Sequence, residues 1–370
     1  MKVLHLTSGN LFGGIETYLL TLARLRHLCP SMEPHFGVCF PGRLRDELTA
    51  AGVPVYDVGG VRVSRPWTVL RARVRLKRLL RESDPDAVVT HGTWPHAIFA
   101  PAVKRLGIRL LNAVHGELTG RHWIDRWAAR TPPDAVIANS RFTAGTARRM
   151  FPDSPVSVVY PPIAAPEFSD RLSHRRAIRA EFETVDDAIV ILIASRIEEL
   201  KGHTVLIRAL GELRAVGGWV CWVVGGTQRS PELKLLASLR ASAHSLGIAD
   251  RVNFLGQRKD IPRILAAADV YCQPNTGPEG FGIAFIEALS AGLPVVTSPI
   301  GGALEIVTEA CGILCQPGNP SDFAKALRGI IEKPARRHEL GAAGPSRASE
   351  LCDPARQLIV LQRILYGWVA

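Results

Sequence analysis

Residues 269–291 read DVYCQPNTGPEGFGIAFIEALSA, and this stretch decides the fold. It opens on a short β-prone run, Asp269–Gln273, and passes through a loop rich in Pro, Asn and Gly. From Ile283 to Ala291 it reads as a helix, closed by Gly292 and followed by Pro294. A strand that feeds through a glycine loop into a helix is the building unit of a parallel α/β sheet. Gly280 and Gly282 let backbone approach a ligand closely, and the first turn of the helix offers free N–H groups and partial positive charge to a phosphate. Glu279 stands at the end of the loop. Glu287 lies inside the helix, where a carboxylate can accept hydrogen bonds from a ribose diol. Alone, either glutamate reads as a solvated surface residue. The strand–loop–helix context singles them out.

Working outward, the apolar run Ala188–Ala194 leads directly into Ser195-Arg196-Ile197-Glu198-Glu199-Leu200-Lys201-Gly202. Arg196 supplies a planar fork and Lys201 a mobile point charge, a pair suited to a diphosphate. The same alternation continues through Trp219–Val224, Val252–Leu255 and Pro294–Thr297. It also fills the first half, with strands expected at Val3–Leu6, Phe36–Phe40, Ala87–Thr90, Leu110–Val114, Ala135–Ala138 and Val156–Tyr160. A helix with Ile15, Tyr18, Leu19, Leu22 and Leu25 on one face follows the glycine-rich turn Asn10–Gly14. The proline-rich segment Tyr160–Pro166 and the charged stretch Asp170–Arg179 read as a linker. Expected, then, are two doubly wound α/β domains, 1–165 and 166–350, whose strand ends face a cleft. A last amphipathic helix within 351–370, with Leu358, Leu361, Leu365 and Trp368 in a stripe, is expected to cross back to the first domain.

Composition narrows the rest. The chain has 370 residues, 47% hydrophobic and 21% charged, which suits a soluble protein of two domains. Its most apolar run is far short of the ~20 residues of a spanning helix, and no leader is evident. The reading is a cytoplasmic protein, peripheral at the inner membrane face if it touches a membrane. Seven scattered cysteines without a CxxC pair read as small buried residues. Residues 1–160 carry 22 Lys+Arg against 12 Asp+Glu, so nearly all of the net +11 lies in the first half. Eight of those cations (Arg62, Arg65, Arg71, Arg73, Arg75, Lys77, Arg78 and Arg81) fall within residues 62–81, interleaved with Val69, Leu70, Leu76, Leu79 and Leu80. An ordinary sheet-covering helix has this pattern, and so does a helix that docks on anionic lipid. Nucleic acid fits poorly, because no aromatic interleaving and no reader motif accompany the charge.

Two further features precede a comparison. Gly13-Gly14 allows backbone N–H groups to face a phosphate or an acceptor, but it lacks the dinucleotide fingerprint G-x-G-x-x-G. His115 stands at the carboxyl end of a strand, where open α/β sheets bind ligands. With these features the chain resembles, over nearly its full length, the retaining GT-B glycosyltransferases of glycosyltransferase family 4. The resemblance rests on Gly13, Gly14 and Glu16; on His115; on Ile137-Ala138-Asn139-Ser140; on Arg196, Lys201 and Gly202; and on Glu279 and Glu287 around an intact Gly-Phe-Gly. It implies that Arg196 and Lys201 bind the donor diphosphate, that Glu287 binds ribose, and that Glu279 and His115 contact the transferred sugar. Gly14, Ser195 and backbone at Phe281, Gly282 and Ile283 would meet sugar or phosphate, with Gln257 and Arg258 near the base.

It further implies transfer from a UDP- or GDP-linked sugar to a saccharide or lipid-linked acceptor in glycan biosynthesis, with retention of configuration. No cofactor and no catalytic metal are implied. Asp84-Pro-Asp86, which superficially resembles the metal-binding Asp-x-Asp of the other glycosyltransferase fold, reads as a turn before a buried strand. Ser195 replaces the glycine usual before the arginine, and the loop Pro274–Glu279 carries Asn275 where serine is common. A nucleotide-sugar epimerase and a non-catalytic sugar-nucleotide-binding protein are the alternative readings.

Overall fold

The computed structural model describes residues 1–164, 171–227 and 229–367, without the side chain of Arg171. Trp368, Asp170 and the expected domain boundary at 165/166 lie outside the described residues. The chain divides into two compact units, Met1–Pro162 with the C-terminal stretch from Cys352, and Ile163–Leu351.

The first unit is a seven-stranded, all-parallel sheet. Its strands are β1 (Lys2–Thr7), β2 (Glu33–Val38), β3 (Val55–Asp57), β4 (Ala87–His91), β5 (Arg109–Val114), β6 (Ala135–Ala138) and β7 (Val156–Val158). They lie in the order β3-β2-β1-β4-β5-β6-β7. The central strands β1, β4 and β5 are buried almost throughout, yet each carries polar residues among its apolar ones: His5 and Thr7, Thr90 and His91, and Asn112. Val3, Val89 and Leu111 join Leu19 and Leu22 in the core on one face, while Leu4, Leu6 and Val88 join Leu76, Leu80 and Phe99 on the other. The C-terminal helix Pro354–Tyr366 packs Leu358, Leu361, Ile364 and Leu365 into the first of these cores. There the Arg109 guanidinium donates to the Ile364 carbonyl at 3.0 Å.

The second unit is a six-stranded parallel sheet of β8 (Ile189–Ala194), β9 (Trp219–Val224), β10 (Val252–Gly256), β11 (Val270–Gln273), β12 (Val295–Thr297) and β13 (Gly312–Leu314), in the order β10-β9-β8-β11-β12-β13. Both units therefore have the Rossmann-like architecture expected from the sequence. In each, the winding reverses where the first strand of the sheet meets the fourth, at β1/β4 and at β8/β11. Open α/β sheets bind ligands beyond the strand ends at such a reversal.

Three local readings are corrected. The charged stretch after residue 170 is structured: helix Arg171–Glu181 carries Arg179, only 1% exposed. Arg179 donates to Asp269 at 2.6 Å and to the carbonyls of Val185, Asp186 and Ala188 at 3.0 Å, and Arg175 reaches the other oxygen of Asp269 at 2.7 Å. Those cations clamp the start of β11, so their charge is internal and the segment is no linker. β2 runs Glu33–Val38: it starts ahead of the expected Phe36–Phe40 because it pairs with all of β1, and it ends before Phe40, which falls in the bend after the strand. The three-residue strands β3 and β13 were not expected at all.

Candidate functional site

The reversal of the second sheet gathers the residues singled out by sequence. Ser195 follows β8 and is tied to β9 through its N–H to the Val224 carbonyl at 2.9 Å. Arg196 comes next and pairs with Glu198 at 2.8 Å, both side chains partly exposed. A 3₁₀ turn, Glu199–Lys201, then aims Lys201 at Glu279, with which it forms an ion pair. The turn ends at Gly202, whose φ of +75° suits glycine and whose Cβ, if present, would overlap the Pro274 carbonyl. The Lys-Gly pair thus locks the loop after β8 against the loop after β11. Buried His203, beneath it, is held neutral because burial pushes its pKa down to about 4.

Glu279 is positioned from three sides. Besides Lys201, Gln273 at the end of β11 approaches its Oε2 at 3.4 Å. Gln273 is itself oriented by the Tyr271 hydroxyl, which donates at 2.8 Å, and by Asn275, which accepts at 2.9 Å. The backbone of Glu279 bridges to Gly301, and its carbonyl accepts from Gly302 N–H at 2.9 Å. A Cβ at Gly301 would overlap that same carbonyl and one at Gly302 would overlap Phe281. Sequence reasoning passed over Gly301-Gly302. The doublet in the turn after the apolar run Pro294–Thr297 was the available signal.

Glu287 lies on helix Ile283–Ser290, four residues past the first. Burial pushes its carboxyl up to about 7, and it forms no hydrogen bond or ion pair among the described residues. An uncompensated, half-buried carboxylate is costly, and a diol donating two hydrogen bonds is the natural remedy. Gly282 caps this helix and Phe281 is buried before it, so the free N–H groups of the first turn sit beside Glu279 in sequence.

Gln257 and Arg258 follow β10. Gln257 lies against the turn after β9, close enough that a Cβ at Gly226 would touch it at 3.0 Å. Arg258 is committed elsewhere: it pairs with Glu181 and Asp260, each at 2.8 Å, and stacks over the Phe182 ring.

In the first unit, helix Gly14–Arg24 starts at the glycine turn, and Glu16 folds back to accept the Gly13 N–H at 2.9 Å. That contact gives Gly-Gly-x-Glu a local purpose: the glutamate supplies its half of a capping box, glycine having no side chain to supply the other. His115 follows β5. Its carbonyl accepts from the Asn139 side chain at 3.2 Å, and Ser140 caps helix Arg141–Met150, so the Asn139-Ser140 pair fixes both the histidine and the next helix. The His115 ring sits edge-on to Tyr18 and shares a 2.9 Å hydrogen bond with His91. Burial pushes its pKa down to about 4. Asp86, by contrast, accepts the Lys2 backbone N–H at the opposite end of the sheet, in the turn before β4.

All seven cysteines are buried and unbridged. On helix Pro66–Ser83, Val69, Leu76 and Leu80 face the core, whereas Trp67, Leu70 and Val74 are 59%, 62% and 67% exposed beside Arg71, Arg75 and Arg78. Arg73 is turned inward onto the Ile98 carbonyl at 2.6 Å. Among the described residues no helix is long and apolar enough to cross a membrane.

A family model described as Glycosyl transferases group 1 matches residues 174–347, and one described as Glycosyltransferase Family 4 matches residues 12–165. The chain is 30% identical over 289 residues to the GDP-mannose-dependent alpha-(1-6)-phosphatidylinositol monomannoside mannosyltransferase of Mycolicibacterium smegmatis, covering 73% of each. It is 33% identical over 230 residues to the D-inositol 3-phosphate glycosyltransferase of a Nocardioides species, covering 58% of this chain and 50% of that one. Among solved structures, Anabaena Alr3699/HepE in complex with UDP-glucose matches with a TM-score of 0.88 at 24% identity, over 99% of this chain and 100% of that one. At that identity the likeness shows the shared fold.

Proposed function

The chain belongs to the glycosyltransferases of group 1 and family 4, and from that premise we propose a retaining, metal-independent transfer of a sugar from a nucleoside-diphosphate donor to a saccharide or lipid-linked acceptor. The observation that supports the proposal is the Lys201–Glu279 ion pair, which joins the loops after β8 and β11 at the reversal of the second sheet, with Arg196 on the first of these loops and Glu287 on the helix that follows the second. In this reading Arg196 and Lys201 exchange their internal carboxylate partners for the donor diphosphate, Glu287 accepts from the ribose diol, and Glu279 holds sugar hydroxyls. The acceptor oxygen attacks from the face that the diphosphate leaves. The C–O bond to the diphosphate breaks as the new glycosidic bond forms, and the departing phosphate oxygen takes the acceptor's proton. No enzymatic nucleophile is required.

GDP-mannose is the first donor to test, with UDP-glucose second, because these are the donors named for the mannosyltransferase relative and the Anabaena structure. The basic helix Pro66–Ser83, with apolar Trp67, Leu70 and Val74 exposed among arginines, supports a peripheral role at an anionic membrane carrying the acceptor. Early-time NMR of the product decides the stereochemistry. An α-linked product from an α-linked donor is expected, and a β-linked one excludes the mechanism. Donor consumption that yields an isomeric nucleotide-sugar without acceptor would favour the epimerase instead.

A further inference from the structure

His115 is the outer member of a row of three imidazoles. His5 on β1 and His91 at the end of β4 share a hydrogen bond of 2.9 Å between Nδ1 and Nε2, and His91 Nδ1 shares another of 2.9 Å with His115 Nε2. The register builds the row: His5 pairs with Val89 and His91 with Ala113, so each histidine stands two residues beyond the partner of the one before, on the same face. The rings follow one another at 5.2 Å between centroids, with Phe36 stacked on the inner end and Tyr18 against the outer two.

All three rings are neutral near pH 7. Burial and mutual repulsion hold His91 well below the usual histidine range, and burial first, then His35, pushes His5 down to about 3. Each ring therefore carries one proton, and two head-to-tail arrangements satisfy both shared bonds. They differ at the buried end, where His5 Nε2 has no partner among the described residues. One arrangement leaves a bare lone pair there; the other strands an N–H, the rarer and costlier defect. The favoured arrangement runs outward: His5 donates to His91, His91 donates to His115 Nε2, and His115 presents Nδ1–H.

We propose that His91 and His5 are positioning residues that fix the tautomer of His115, so that His115 meets a substrate hydroxyl as a hydrogen-bond donor through Nδ1. The role rests on the reading of His115 as a contact of the transferred sugar.

The test is the two-bond proton–nitrogen NMR spectrum of the full chain, ¹⁵N-labelled at histidine, with transfer kinetics of the same variants. Wild type is expected to show His115 protonated on Nδ1. His91→Leu mixes the two tautomers and lowers kcat about tenfold, the worth of one hydrogen bond, with donor KM unchanged. His91→Gln, whose amide can again donate to Nε2, restores both. His5→Phe, which keeps His91 but frees its Nε2, loosens the same tautomer and covers the case that His91→Leu does not fold. A wild-type His115 protonated on Nε2, or a tautomer unmoved by these variants, overturns the proposal. Should His115→Ala keep full turnover while the tautomer responds as described, the row stands and the sugar-contact reading falls.

Discussion

The two units solve one topological problem with opposite chemistry. Each sheet reverses its winding between its first and fourth strands, and each reversal carries polar side chains where an open α/β sheet offers a crevice. At β8/β11 these are charges: Arg196 with Glu198, Lys201 with Glu279, and Glu287, which has no partner among the described residues. At β1/β4 they are neutral rings in line, His5, His91 and His115. In the proposed function, the cations of the charged site exchange these carboxylates for the donor diphosphate. A neutral, desolvated row is built to hold one hydrogen-bonding direction. The shared fold supplies the place, and the strand-end residues decide its use.

The contrast can be broken at several points. The largest effect is expected from Arg196→Ala or Glu279→Ala, each lowering turnover by about 10²–10³ with the melting temperature little changed. If either variant kept near wild-type turnover, the charged reversal would not be the donor site. Next is Gly202→Ala, where a left-handed backbone and the Pro274 carbonyl both oppose a Cβ. Denaturant unfolding should show a loss of about 1–3 kcal/mol, with donor affinity falling alongside.

Third is a pH effect particular to Glu287. Its carboxyl titrates near 7 in the folded chain, above its unfolded value of 4.5, so between these two pH values the folded state binds the extra proton and stability falls as pH rises. In the proposed function, Glu287 accepts from the ribose diol in its ionised form. Nucleotide affinity should therefore drop about tenfold on going from pH 8 to pH 6, as read by calorimetry. Glu287→Gln should abolish that slope and raise the melting temperature of the unliganded protein at pH 8. A slope that survives the substitution assigns it to another group. Smallest is the effect on the basic helix: Arg71→Gln or Arg78→Gln, each removing one positive charge, should weaken co-sedimentation with anionic vesicles by about 1 kcal/mol. Binding indifferent to anionic lipid would leave helix Pro66–Ser83 as a plain cover of the first sheet.

Legibility differed between the two reversals for a physical reason. The charged one is carried by short local spacings, Arg196 to Lys201 and Glu279 to Glu287, each next to a buried strand, so the residues could be found one segment at a time. Their pairing could not: Glu198 and Glu199 are the near partners of Lys201 in sequence, yet it reaches Glu279, 78 residues away. The histidine row is entirely non-local, its members 86 and 24 residues apart. His115 was visible as a strand end, whereas His5 and His91 join it only through strand register. Strands of six apolar residues, such as β8 and β9, declared themselves, while the three-residue β3 (Val-Tyr-Asp) and β13 (Gly-Ile-Leu) did not, since each includes a residue, Asp57 or Gly312, that is depleted in strands. Arg175 and Arg179 misled because a charge count cannot distinguish a solvated cation from one closed onto Asp269.

The most direct test of the charged reversal is titration of GDP and UDP into the wild-type chain and into an Arg196→Ala, Lys201→Ala double variant, with folding checked by melting. The account predicts that at least one nucleotide binds the wild type and that the double variant, still folded, binds it at least a hundredfold more weakly. Equal affinity in the two proteins would contradict it.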